Sequence, residues 1–407
     1  MPFDWRRNLV AVTVATFLGF TGFTLVMPFL PLYFRELGLT DFGAIAIWSG
    51  VSLGVTPGIT ALMSPAWGRL ADRIGRKVMV ERSLLSFVLV MTATAFVSAP
   101  WHILALRTIQ GFFAGYGALS VAMAAESAPP GRLAQAIGIV QTAQRLGPAL
   151  GPIFGGLAVE WVGIRNCFFA AAVFYLVGFG LVLWLYDERP RTRRTSESTM
   201  PTLRPIDAVR LRGMPAMLLV IFAVQLIDRS FGPILPLYLE EVGVAQARIP
   251  RAVGLMFSGA ALAGAVGNLL CARVLRAFSP SRVIGLSAAL ASFASLIFVT
   301  QTTVAVLAAA SVVFGFGIGL ALTATFSVAG AAIPPESRAT GFGVLTSASL
   351  VGMATSPVLS GLLGAVSMRA VFVVDAMVLA GLAVIAIRLV QASGGSLPDV
   401  AGLRADG

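Results

Sequence analysis

The chain is predicted to fold as an all-α integral membrane protein, with twelve spanning helices arranged as two related six-helix halves. Three observations predict this. Of 407 residues, 57% are hydrophobic and only 12% charged, and the mean hydropathy is +0.89. A soluble globular protein carries about 25% charged residues, so lipid must be the solvent for much of this surface. Second, the few charges are clumped: residues 8–34, 42–68, 83–106, 166–186 and 283–335 contain none. Third, the chain repeats itself. Pro28–Gly38 matches Pro233–Gly243 at seven of eleven positions, an offset of 205. The same offset pairs Pro129 and Pro130 with Pro334 and Pro335, Gly138 with Gly343, Gly147 with Gly352, Pro152 with Pro357, and Gly156 with Gly361.

A bilayer core roughly 30 Å thick takes about 20 apolar helical residues. Only helices or closed barrels satisfy their backbone in lipid, and these runs are too long and too evenly apolar for barrel strands. Six spans are placed at 9–34, 44–66, 83–99, 103–127, 133–158 and 166–186. The first is longer than a signal-peptide core and lacks a convincing cleavage site, so it is kept as a helix. Six more follow at 214–236, 252–272, 283–300, 304–328, 340–362 and 370–389, with the long run 283–335 divided by the polar turn Gln301–Thr303. The domains are therefore a bundle at 1–186, a linker at 187–213, a second bundle at 214–389 and a tail at 390–407. The linker holds seven Arg, four acidic residues, and Ser, Thr and Pro, a composition for a mobile connection. Trp5, Trp67, Trp101, Trp161 and Trp184 fall near span ends, where an interfacial aromatic belt would place them.

Orientation follows from Lys and Arg. Loops on the N-terminal side hold 20 of the 29 cations; the other side holds Arg35, Arg165, Arg248, Arg251 and Arg369, and four lie inside spans. The positive-inside rule then puts both termini in the cytoplasm of a plasma-membrane protein. The net charge of +11 is thus topology information, and no basic segment forms a nucleic-acid module. Cys167 and Cys271 lie in or beside apolar spans, and His102 is the only histidine, so neither a disulfide framework nor a metal site is expected. No nucleophile–base pair or nucleotide loop is present; the chain is read as a non-enzyme without cofactors, and as a monomer.

Three stretches carry specific patterns. Gly68 to Lys77, between spans 2 and 3, contains Gly68, Asp72, Arg73, Gly75, Arg76 and Lys77. Arg107 with Gln110 and Gly111 forms an Arg, two residues, Gln, Gly pattern in span 4. Gly147, Gly151, Pro152, Gly155 and Gly156 stud span 5. Together these resemble the loop, helix-4 and helix-5 signatures of the major facilitator superfamily, over essentially the whole chain, and within it the twelve-helix drug/proton antiporters. The resemblance implies the major facilitator fold and transport by alternating access. It also implies that Asp72 meets the start of span 11 near Ala339 and latches the outward-open state, that Arg107 serves proton coupling, and that span 5 packs on the other half and prevents leak. By its chemistry alone, an Arg so near the end of span 4 also fits snorkelling to the surface. Gly68 would allow close helix packing and Gly75 a tight turn.

Other charges inside spans are informative because they are costly in lipid. Asp228 and Arg229 lie near mid-depth of span 7, and Arg145 is similarly deep in span 5. Two readings of Asp228 are open: a protonatable coupling site, or a permanent ion pair with Arg229 or Arg145. Glu126 is read as a gate or loop contact with Arg132. Related antiporters often carry an acid in span 1; residues 9–34 have none, which moves any proton site to span 7 or to Arg107 and Arg145. A cavity lined by spans 1, 4, 7 and 10 would present Phe23, Met27, Phe112, Tyr116, Phe231 and Phe326, an adaptable apolar surface, with Gln110, Gln144 and Gln225 as polar groups. The expected activity is export of hydrophobic or amphipathic small molecules in exchange for protons. The alternatives are a proton-coupled transporter of one metabolite (a sugar, amino acid or lysolipid) and, remotely, a scaffold or an enzyme.

Overall fold

A computed structural model of the chain describes residues 4–129, 131–188, 209, 213–333 and 338–392. Every predicted span is helical. They are α1 (Trp5–Val26, a 3-10 turn at Met27–Phe29, then Leu30–Glu36), α2 (Phe42–Ile74), α3 (Arg76–Ala95), α4 (Pro100–Phe113 and Tyr116–Ser127), α5 (Leu133–Val162) and α6 (Ile164–Leu185). The second half comprises α7 (Met214–Asp228 and Leu235–Glu241), α8 (Ile249–Ala277), α9 (Pro280–Thr300), α10 (Val304–Ala332), α11 (Arg338–Val366) and α12 (Met368–Ala392). Among the described residues nine helices are long and apolar enough to cross a membrane, and no strand occurs. Most of the expected linker 187–213 and of the tail 390–407 lies outside the described residues. Twelve spans alternate in direction, so the start of α1 and the end of α12 lie on one face, here the terminal face; the opposite one is the distal face.

Three helices expected to be continuous are broken. In α1 the break carries Pro28 and Pro31, and in α7 it spans Arg229–Ile234 with Gly232, Pro233 and Pro236 nearby. Proline lacks the N–H that an interior turn needs and its ring clashes with the preceding turn. The α4 break lies at Ala114 and Gly115, where Gly115 has φ +121°, a backbone conformation that glycine tolerates and L side chains resist.

The repeat is visible as geometry. Tyr33, on the short second piece of α1, donates to the Thr94 carbonyl at 2.7 Å, and its ring lies 5.1 Å from Phe168. Tyr238, 205 residues later, donates to the Phe298 carbonyl and lies 4.9 Å from Phe372. Each half thus pins the distal end of its first helix with the same tyrosine.

Small residues decide where the halves touch. A Cβ on Gly50 of α2 would overlap the Pro357 carbonyl of α11 and come within 3.1 Å of the Gly361 Cα. Gly54 is similarly pressed against Ala354 and Val358 of α11. The second seam is its pseudo-symmetric mate: Gly156 of α5 meets Pro250 of α8, and Gly254 of α8 meets Pro152 of α5. Both seams lie in the distal half of the molecule. Toward the terminal face the glycines of these helices, Gly68 on α2, Gly138 on α5 and Gly343 on α11, face open space instead of the other half. The halves therefore close at the distal end and splay at the terminal end.

Candidate functional site

On the terminal side a cavity of about 500 Å³ lies between α1 and α5, both of the first half, walled by Val14, Phe17, Ile139 and Leu146, with Thr13 and Thr142 as its hydroxyls. Its wall is overwhelmingly apolar. Several side chains expected to line a cavity are instead withdrawn into the bundles. Phe231 packs among Phe298, Phe314 and Phe372 at centroid distances of 5.1, 4.7 and 5.2 Å. Tyr116 is buried between Phe20 and Phe87, Met27 is buried in the α1 break, and Gln110 is fully buried. Large rings satisfy more contacts in a helix core than at a wet wall, which explains the difference. Phe326 packs partly buried on Met214, Ile221 and Leu345; Phe112 is exposed with its ring edge-on to Trp67. The remaining glutamines hold local structure: Gln144 donates to the Gly117 carbonyl beside the α4 break and Gln225 to Ser349 of α11, both at 2.8 Å.

Arg107 does not snorkel. It is 1% exposed, bonded to Gln110, with its guanidinium 5.9 Å from the half-buried Phe23 ring. Its Nη2 and the Gln110 Nε2 find no partner among the described residues. Asp228 and Arg229 pair with each other at 3.2 Å where α7 breaks, and both are partly solvated. Arg145 is not their partner. It crosses to the other half, where Asn268 of α8 accepts from its Nη1 at 2.7 Å and donates to the Gly319 carbonyl and to Thr323. Sequence reading gave no hint of Asn268, an ordinary amide in an apolar helix.

The loop between α2 and α3 knits one half together. Gly75, at φ +109°, turns the chain so that the Arg76 amide meets Glu188 at 2.8 Å. The Arg76 guanidinium reaches Glu126 at 3.1 Å and Asp72 at 3.8 Å, while Lys77 donates to the Leu183 and Tyr186 carbonyls. Glu126 therefore meets Arg76, and Arg132, its expected partner, lies over Trp5 at 5.5 Å. Gly68, expected at a close helix contact, faces open space, and Arg73 is exposed. The side chain of Ala339, the expected neighbour of Asp72, lies outside the described residues.

The α5 motif faces two ways. Gly147, Gly151 and Gly155 press on Phe20, Thr21, Thr24 and Leu25 of α1, while Pro152 and Gly156 press on α8 across the seam. Gly155→Val would drive its side chain into the Leu25 carbonyl. It is expected to destabilise the fold by about 1–3 kcal/mol, read as a lowered melting temperature in detergent. Gly138→Val, in open space on the same helix, should melt like the parent.

Two further features escaped the sequence reading. Arg35 and Glu240 form an ion pair across the halves at the distal end, each mostly shielded from solvent. They occupy equivalent positions of the repeat, 205 residues apart. The second is Asp375 of α12, 3% exposed, whose Oδ2 lies 2.5 Å from the Ser230 hydroxyl.

Among relatives, a multidrug resistance protein MdtG from Citrobacter koseri is 37% identical over 246 residues. The match covers 60% of each chain, so this sequence spans under two thirds of that relative's length. A multi-drug resistance efflux pump PmrA homolog from Lactococcus lactis is 30% identical over 69% of each chain. Of solved structures, a bacterial homolog of the human lysosomal transporter Spinster superposes with a TM-score of 0.75 at 18% identity, covering 93% of this chain and 96% of that one. The nucleoside transporter NupG gives 0.78 at 13% identity, covering 94% and 99%. These two share the fold. The sequence profile of the Major Facilitator Superfamily matches residues 12–247 and 217–404, and with two six-helix halves closing at one face around a cleft, the chain belongs to that superfamily, a family of multi-pass membrane proteins.

Proposed function

We propose that the protein exports hydrophobic or amphipathic small molecules across the plasma membrane in exchange for protons, by rocking its two halves about the cleft. The observation that carries this reading is the pair of glycine-and-proline seams, α2 on α11 and α5 on α8, confined to one end of the molecule. Seams that short let the halves pivot as rigid bodies around a central site. With the termini cytoplasmic, as the cation bias favours, the cleft opens inward and the distal seams form the outer seal. The apolar cavity wall suits a substrate recognised by contact more than by hydrogen bonds, and relatives are named for multidrug resistance.

In this scheme the ion pair of Arg35 and Glu240 locks the outer gate, and Arg145 with Asn268 ties the halves below it. Asp228, half-solvated beside Arg229, exchanges protons with the cleft, and buried Arg107 shapes the field across the first half. Asp72, Arg76 and Glu126 regroup when the inner face closes. The test is pH-gradient-driven efflux of a lipophilic cation dye from proteoliposomes. Wild type should export only under the gradient, and Asp228→Asn should lose that dependence. Equal export by the variant would make Asp228 structural. A wild type that moves no dye under any gradient would favour a transporter of one metabolite.

A further inference from the structure

We propose that Asp375 is a second proton-binding site, which exchanges its proton with water and by doing so sets the hydrogen bonding of the α7 break. The inference rests on the proton-coupled reading above and adds a site to it.

Hydrogen-bond accounting carries the argument. The Ser230 hydroxyl lies 2.5 Å from the Asp375 carboxyl and 2.8 Å from the Ile227 carbonyl. A hydroxyl has one hydrogen to give. If Asp375 is ionised, the carboxylate and the Ile227 carbonyl compete for that hydrogen; the carbonyl can fall back on the Ser230 backbone N–H at 3.2 Å, whereas the carboxylate has no other donor among the described side chains. If Asp375 is protonated, it donates to Ser230, Ser230 donates to Ile227, and every group is satisfied. The arrangement therefore fits the neutral acid. Ionisation releases the proton to water, turns the Ser230 hydroxyl toward the carboxylate, and leaves the Ile227 carbonyl with backbone N–H groups alone, that of Ser230 at 3.2 Å.

The surroundings agree. α12 packs on α7, α9 and α11. The ionisable groups these bring are Asp228, Arg229, Tyr238, Glu240 and Glu241 on α7, Arg282 on α9, and Arg338 on α11; Arg369 and Arg388 share α12, and the side chains of Arg338 and Arg388 lie outside the described residues. Asp228 and Arg229 pair with each other, Glu240 pairs with Arg35, and the Tyr238 hydroxyl meets the Phe298 carbonyl. α9 contributes the Ser292 hydroxyl, spent on the Ala376 carbonyl. Among the described residues Ser230 is the one polar side chain bonded to Asp375. A carboxylate buried without a cation is costly.

Location gives the proton something to do. Ser230 sits in the break of α7, where a Cβ on Gly232 would touch Leu53 of α2 in the other half at 3.3 Å; in the turn just before the break the Leu226 carbonyl accepts from Ser356 of α11. A change in the break therefore reaches the α2–α11 seam. The first half has no counterpart. Phe168 and Phe372 hold equivalent places against Tyr33 and Tyr238, and three residues on from each stand Ala171 and Asp375.

The experiment is infrared titration of the full chain in lipid nanodiscs, comparing wild type with Asp375→Asn and Ser230→Ala. A protonated-carboxyl band should be present in wild type near neutrality, vanish as pH rises, be absent from Asp375→Asn, and be displaced in Ser230→Ala. Identical wild-type and Asp375→Asn spectra across pH would overturn the site, as would a band that never titrates. In proteoliposomes Asp375→Asn should retain substrate exchange, which moves no net proton, and lose the response to an imposed pH gradient. A variant that responds like wild type overturns the coupling role. If wild type itself shows no gradient-driven transport, the export reading fails, and the infrared comparison alone decides Asp375.

Discussion

Gly50→Val is expected to abolish most transport while leaving the protein folded. At Gly50 even a methyl group would overlap the Pro357 carbonyl, and the Gly361 Cα stands 3.1 Å from the same point. Neither obstacle is a side-chain tip that can rotate away; both are helix backbone. Valine can be accommodated only by moving α2 off α11, which opens the seam. The fold of each half is untouched, because the clash lies between them. Overpacking of about 3 kcal/mol in one of two exchanging states lowers that state's population roughly a hundredfold. Spin labels placed on exposed Arg73 of α2 and Arg276 of α8, one in each half near the terminal face, would report this as loss of the long-distance population. Gly361→Val should behave alike, since the two glycines face each other. Gly58→Val is the control: its Cβ would rest 3.6 Å from the Ala354 Cβ, an ordinary contact. An unchanged distance distribution in Gly50→Val would mean the seam yields elsewhere and does not set the state.

Why these features differ in legibility is physical. Span number and type follow from hydropathy over windows of some twenty residues, a signal that survives local error, so α6 and α9 were readable to within a few residues. The breaks in α1 and α7 were written in Pro28, Pro31, Pro233 and Pro236, but proline in a membrane helix can kink without interrupting, so composition alone did not decide. The α4 break had only Gly115 to announce it. Motif residues were legible because their chemistry demands particular types: Gly75 for its φ, Gly155 and Gly156 for contact with two neighbours. Partners were not. That Arg145 meets Asn268, or Glu126 meets Arg76, depends on helix rotation and tilt, which hydropathy does not fix. Asp375 was passed over because a single acid seven residues into an apolar span looks like a span end, and only burial distinguishes the two.

Reversing the pair at Arg35 and Glu240 is expected to harm transport singly and spare it doubly. Equivalent positions of two halves related by a pseudo-two-fold can touch only near its axis, as a residue meets its own mate in a symmetric dimer. Of the eleven positions in Pro28–Gly38 and its copy, four differ, and only Arg35 against Glu240 reverses charge. Had the copies stayed alike there, the axis would carry two like charges. Arg35→Glu recreates that arrangement. Two unit charges about 4 Å apart repel by about 4 kcal/mol at an effective dielectric near 20. Each side chain is over a fifth exposed, so screening reduces the net loss to about 1–2 kcal/mol, roughly a tenfold fall in the distally closed population. Glu240→Arg should do the same with two cations. The double reversal restores attraction, and Gln246, which now donates to Glu240 at 3.1 Å, can turn its amide to accept from an arginine. Recovery should stop short of wild type, because Arg35 also lies 5.3 Å over the Phe42 ring, a contact that glutamate cannot replace. Efflux rates for the four proteins form a double-mutant cycle. A coupling near zero would mean that the pair is bystander to the closure of the halves, and that the seams of small residues hold the distal face by themselves.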